Sequence, residues 1–192
     1  LLRGGGFGRR LDVDFIGQAA AIAKAFEGTP VQTFWSRAED TRHDFYRPAA
    51  AAALEATLDA EGLPRRIGIV SAGDALTPRF LARNMPALAS RLELPDKVSS
   101  EGLFDRPYAI AHRRIAHRAT DQRVPFGNWR AVGHSQNAFF IESFIDEMAA
   151  AAKQDPLQFR LSLLDKHPRF QGVLRLAAAQ AGWPAKPIRL LV

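Results

Sequence analysis

The chain of 192 residues contains no cysteine. That absence removes disulfides, thiolate zinc sites, cysteine-ligated iron–sulfur clusters and cysteine nucleophiles together. Lysine is scarce, so the 26 Lys+Arg that outweigh 20 Asp+Glu are mostly arginine, the better donor for bidentate contacts to phosphate or carboxylate. No apolar run is long enough to cross a bilayer, and the opening LLRGGGFG has no apolar h-region. Several signatures are missing as well. There is no Gly-Lys-Ser/Thr of a Walker loop, and no His-Glu-x-x-His among five scattered histidines. GHSQN has Asn137 where a serine-hydrolase elbow requires glycine.

What is present is a mixed pattern. LDVDFIGQAAAIAKAFEG predicts a helix with Val13, Ile16, Ala20 and Ala23 on one face and Gly28 at its end. TPVQTFWSR alternates and predicts a strand. Leu54, Ala56 and Leu58 alternate with polar residues before the turn DAEG, which predicts a hairpin into PRRIGIVSAG. Residues 71–107 predict irregular structure with short elements, in which Phe80, Leu81, Met85, Leu88 and Leu92 require burial. YAIAHRRIAHRAT predicts a strand, followed by the loop VPFGNWRAVGHS.

The last third is helical. SQNAFFIESFIDEMAAAAK places Phe140, Phe144, Ile145 and Met148 inward. DPLQFRLSLL has Asp155 as N-cap, Pro156 at the first helical position and Gln158 completing a capping box. RFQGVLRLAAAQAGWP ends at Gly182 and Pro184. The fold class expected is α+β, mixed sheets with helices gathered at the end.

Two loops carry the candidate chemistry. GGGFGRR (Gly4–Arg10) exposes backbone N–H groups that can gather around an anion, with Arg9 and Arg10 as charged donors beside them. A tight structural turn fits the same glycines, and the dinucleotide fingerprint fails because Arg9 stands where a third glycine is needed. NWRAVGHSQ brings Arg130, Gly133 and Gln136 to the start of a helix, where a surface arginine and a capping Ser135 are the plainer alternative. HRRIAHR (His112–Arg118) is basic but lacks interleaved aromatics, which favours a solvated strand face over nucleic-acid contact.

Taken together, GGGFGRRLDVDF, QTFWSRAEDTRHDFYRPAAAA, SEGLFDRPYAI and PFGNWRAVGHSQNAFFIESFIDEMAAAAKQDPLQFRLSLL resemble one family in order and over nearly the whole chain. It is the molybdenum-binding large subunit of the xanthine dehydrogenase and aldehyde oxidase superfamily, and in particular the bacterial isoquinoline 1-oxidoreductase beta subunits. The resemblance implies hydroxylation of an N-heterocycle or oxidation of an aldehyde with oxygen from water. It implies a molybdenum–molybdopterin cytosine dinucleotide cofactor, and a separate small iron–sulfur subunit as electron acceptor. At matching positions it points to Gly5, Gly6, Phe7 and Gly8, with the Phe7 amide against the metal's oxygen ligands, and to Arg130 beside the metal centre; the make-up of the two loops adds Arg9, Arg10, Gly133 and Gln136 as further cofactor-binding candidates.

Departures refine this picture. Arg9, Arg10 and Leu11 stand where xanthine-type relatives have Gly-Lys-Glu, which argues against purine oxidation. Val132 replaces their aromatic substrate clamp. The family's catalytic glutamate has no counterpart motif here, so no catalytic residue is assigned, and residues 1–192 are expected to be an internal fragment of the molybdopterin-binding region, truncated at both ends and inactive alone. Bacterial periplasm and cytoplasm are equally compatible. Two other classes stay open: a non-catalytic interaction module and a basic nucleic-acid binder.

Overall fold

The computed structural model describes residues 5–89, 96–120 and 123–183. Three strands, β1 (Ala50–Leu58), β2 (Pro64–Asp74) and β3 (His112–Thr120), form one sheet in the order β1-β2-β3. The hairpin between β1 and β2 is closed by Asp59 N–H donating to the Leu63 carbonyl at 2.9 Å. The Asp59 carboxylate accepts from the Glu61 and Leu63 amides inside the turn. Ser71 meets His117, and Asp74 meets Thr120. The two pairs advance together along the chain, so β2 and β3 run parallel and the sheet is mixed, as expected.

The helices are α1 (Asp14–Lys24), α2 (Arg37–His43), α3 (Leu76–Asn84), α4 (Pro86–Ala89), α5 (Lys97–Ser100), α6 (Val132–Ala151), α7 (Pro156–Leu163) and α8 (Pro168–Ala181). The chain divides into two units. The first comprises the described residues of Leu1–Ala51, Ser71–Glu101 and His117–Ser135; the second comprises those of Ala52–Val70, Gly102–Ala116 and Gln136–Val192.

The second unit holds an apolar core. Ile141, Ile145, Met148 and Ala149 recur at helical spacing on α6 and are buried with Ile67, Ile69, Leu103, Tyr108, Phe159, Leu163 and Leu164. Arg160 ties α7 to α6, its Nε donating to Glu142 and its Nη1 to Asp146. The Tyr108 hydroxyl donates to the same Glu142 at 2.8 Å. Burial first, and then that carboxylate, hold the phenol well above its ordinary pKa. The expected cap forms: Asp155 accepts from the Leu157 and Gln158 amides, and its other oxygen accepts from Trp183 Nε1. Gly182, at φ 71°, ends α8 in the left-handed conformation.

The first unit is built around buried polar groups. Asp96 caps α5 through the Ser99 amide and also accepts from Leu76 N–H at the start of α3, at 2.7 Å. One carboxylate therefore satisfies orphan donors of two helices.

Several expectations are corrected. Residues 29–36 form no strand: they join no ladder and are exposed, Phe34 at 79%. Alternation alone does not make a strand where no neighbour offers hydrogen bonds. Ser36 instead caps α2 through the Glu39 amide. On α1, Val13 and Ile16 are more than half exposed, so the apolar face meets no core among the described residues. Leu81 is buried, whereas Met85 and Leu88 are exposed; Leu92 and Pro184 lie outside the described residues. α6 begins at Val132, so Ser135 lies inside the helix and does not cap it. The inward position falls to Ile141, with Phe140 half-buried.

Candidate functional site

The glycine loop lies wholly in the first unit and leads into a 3-10 turn, Arg9–Leu11. Arg9 N–H donates to the Gly6 carbonyl at 2.9 Å and Leu11 N–H to Gly8 at 3.1 Å. Phe7 adopts φ 49°, a left-handed conformation that side chains other than glycine rarely take. The amide N–H groups of Phe7 and Gly8 make no hydrogen bond among the described residues. Gly8 explains the glycine best: a Cβ there would overlap the carbonyl group of Asn128. Only a bare backbone lets this loop touch the second one.

The touch brings Arg130 to Phe7, with its guanidinium carbon 4.7 Å from the ring centroid. Gly6, Phe7, Arg9, Asn128, Trp129 and Arg130 line a cavity of about 340 Å³ together with Asp12, Arg37, Asp40, Asp44, Phe45 and Gly127. The two loops singled out in the sequence therefore share one hollow.

Arg9 is fully engaged. Both terminal nitrogens reach Asp14 at 2.9 Å, and Nε reaches Asp44 Oδ1 at 2.7 Å. Burial opposes the charge on Arg9, but the bonds to Asp14 and the field of Asp44 prevail and raise its pKa. Asp14, also resisted by burial, is held below the usual carboxylate range by Arg9. Asp12 goes the other way: burial pushes its carboxyl up, against the pull of Arg83, to which it is paired, and of Arg79. Arg10 is exposed and makes no ion pair among the described residues.

Past Arg130, two successive non-glycine residues, Ala131 at φ 68° and Val132 at φ 40°, turn the chain into α6. Such conformations cost about 1–3 kcal/mol each and persist only where their surroundings hold them. Gly133 lies against α5, where a Cβ would meet the Val98 carbonyl at 2.5 Å. Its role in the fold is close packing. Gln136 stands on α6, half-buried, in the second unit.

The sequence reasoning missed Asp12, Asp44, Phe45 and Trp129 as cavity residues. A signal was present, because Asp44 and Phe45 sit in the stretch QTFWSRAEDTRHDFYRPAAAA, which carries the family resemblance without an assigned role.

No family model matches the chain. It is 31% identical over 95% of its length to the beta subunit of isoquinoline 1-oxidoreductase from Brevundimonas diminuta, covering 23% of that protein. It is 28% identical over 89% of its length to a membrane-bound aldehyde dehydrogenase (pyrroloquinoline-quinone) of Gluconacetobacter polyoxogenes, covering 22% of it. It is 27% identical over 93% of its length to a nicotinate dehydrogenase subunit from Pseudomonas putida, covering 15% of it. The fold matches quinoline 2-oxidoreductase from Pseudomonas putida 86 with a TM-score of 0.64 at 18% identity, over 93% of this chain and 24% of that one. The chain thus spans less than a quarter of the length of the relatives it matches. With the glycine loop, the arginine loop and the mixed sheet in place, the chain is similar over nearly all its length to one segment of the isoquinoline 1-oxidoreductase beta subunit and its relatives, which are molybdenum hydroxylases.

Proposed function

We propose that this chain supplies a cofactor-facing part of a molybdenum hydroxylase large subunit that oxidises an N-heterocycle or an aldehyde. The observation that supports it is the convergence of the glycine loop and Arg130 on one cavity, with Arg130 4.7 Å from the Phe7 ring. The residues fit an oxygen-rich anionic group: amides at Phe7 and Gly8 with no acceptor among the described residues, bare backbone at Gly5 and Gly6, and a guanidinium alongside.

In this reading the Phe7 and Gly8 amides donate to oxygens of the cofactor, and Arg130 balances its charge. Arg10 adds a solvent-facing cation, while Arg9 acts indirectly by holding the loop to Asp14 and Asp44. Gly133 and Gln136 belong to the first turns of α6, which follow the arginine loop in the chain. The molybdenum–molybdopterin cytosine dinucleotide, when bound, supplies the two-electron acceptor and the site at which water is activated. Asp12, paired with Arg83, and Asp44, paired with Arg9, are not free to act as a base. The general base is assigned outside these residues, in keeping with the missing glutamate motif, and a cysteine-bearing small subunit is assigned the onward electron transfer.

Metal and cofactor analysis of the protein purified from its source tests this. The expected result is about one molybdenum per polypeptide, with label from ¹⁸O-water entering the product of quinoline or aldehyde oxidation. Pyrroloquinoline quinone in place of molybdenum, or neither, overturns it.

A further inference from the structure

We propose that Asp44–Arg47 is a clasp that sets the spacing between the glycine loop and the arginine loop, with Asp44 and Arg47 as its positioning residues. The proposal rests on the reading of those loops as cofactor-facing and adds to it the part that holds them in register.

The four residues follow α2 and grip in two directions. Toward the arginine loop, Tyr46 N–H donates to the Pro125 carbonyl at 2.9 Å, and the Tyr46 carbonyl accepts from Gly127 N–H at 3.0 Å. This is a parallel bridge with Phe126 at its centre. The Phe45 carbonyl accepts from Trp129 Nε1 at 2.9 Å. Arg47 Nη2 donates to the Arg130 carbonyl at 3.2 Å, and its guanidinium carbon lies 5.7 Å from the Trp129 ring centroid. Toward the glycine loop, Asp44 Oδ1 forms an ion pair with Arg9, 2.7 Å from its Nε.

Phe45 lies between these grips. Its ring has the guanidinium carbons of Arg9, Arg79 and Arg83 at 5.7, 5.2 and 4.3 Å from its centroid. Gly127 is bare for the same reason, because a Cβ there would lie 2.9 Å from Phe45 Cβ. Each loop is thus referenced to one short segment, and through it to the other.

Arg47 separates positioning from folding. It is exposed, and its bond to the Arg130 carbonyl is at the surface, so losing it removes little from the folded state. That bond nevertheless fixes the peptide joining Arg130 to the left-handed pair Ala131–Val132. Releasing it lets the Arg130 guanidinium drift, and displacements near 1 Å at a reacting centre cost up to about a hundredfold in rate.

The test compares Arg47→Met, Arg47→Lys and Asp44→Asn in the full-length protein. Melting temperature, molybdenum content, kcat and KM are measured for each. Motion of the arginine loop is read from the fluorine resonance of Trp129 in fluorotryptophan-labelled protein, assigned by its loss in Trp129→Phe. Arg47→Met is expected to keep its melting temperature and metal, lower kcat by roughly ten- to a hundredfold with a smaller change in KM, and broaden the Trp129 resonance. Arg47→Lys restores part of both. Unchanged kcat and linewidth in Arg47→Met overturn the clasp, as does a loss of activity explained wholly by lost folding. If Asp44→Asn does not fold, the Arg47 pair still decides. A wild-type protein without molybdenum refutes the functional reading alone; the Trp129 resonance then decides the clasp, which fails if its linewidth is unchanged.

Discussion

The guanidinium of Arg130 stacks on the ring of Phe7 with 4.7 Å between its carbon and the ring centroid. Phe7 is 65% exposed, so this partner and the strained Phe7 backbone are paired at the surface and not in a core. An exposed aromatic held by an exposed cation contributes only about 0.5–1 kcal/mol. Its value lies in where it points the Phe7 amide and the Arg130 charge.

Replacing Arg130 with lysine retains the charge and loses the planar stack. Stability is expected to fall by less than about 1 kcal/mol, whereas the proposed function predicts a drop in hydroxylase kcat/KM of roughly tenfold or more. Urea midpoints alongside steady-state rates check both halves; a rate equal to wild type removes Arg130 from the site.

Gly8→Ala is expected to destabilise by roughly 2–5 kcal/mol, combining backbone strain at φ 100° with overlap against Asn128. Gly17 and Gly172 lie in helices with open space around the would-be Cβ. Alanine at either stabilises by about 0.5–1 kcal/mol. Chemical denaturation of the three variants measures the contrast.

His117 makes stability depend on pH. Burial, opposed by the field of Asp96, lowers its pKa, and Ser71 Oγ lies 2.7 Å from its Nδ1. Below an unfolded-state pKa near about 6.5, the unfolded chain takes up a proton that the native state refuses, so stability falls as the pH drops through that window. Above it the histidine is neutral in both states and contributes no slope. Urea midpoints between pH 7.5 and 5 are expected to fall for wild type and to fall less steeply for His117→Gln.

Phe159 is fully buried in the second unit, and Phe139 is 70% exposed on α6. Phe159→Ala is expected to cost about 3–5 kcal/mol and Phe139→Ala less than about 0.5 kcal/mol. Thermal or urea melts of the two variants test the placement of the core.

Much of the local architecture was legible. Asp155 and Gly182 mark the ends of α7 and α8 because caps act within a few residues, and the hairpin follows from alternation around Asp59. The segment 29–36 alternates just as well and is no strand, because a strand requires a neighbour that its own residues do not specify. The helix α1 shows the same limit: its periodicity gives the helix, but Val13 and Ile16 remain exposed.

The same division holds at the candidate site. Glycine content and the arginine at position 130 are properties of the sequence by itself, since backbone freedom and charge belong to single residues. That Gly8 is bare to admit Asn128, that Arg9 is spent on Asp14 and Asp44, and that Asp44–Arg47 grips both loops were decided only by tertiary structure. Those relationships join segments distant in the chain, and through-space distance is set by the fold as a whole.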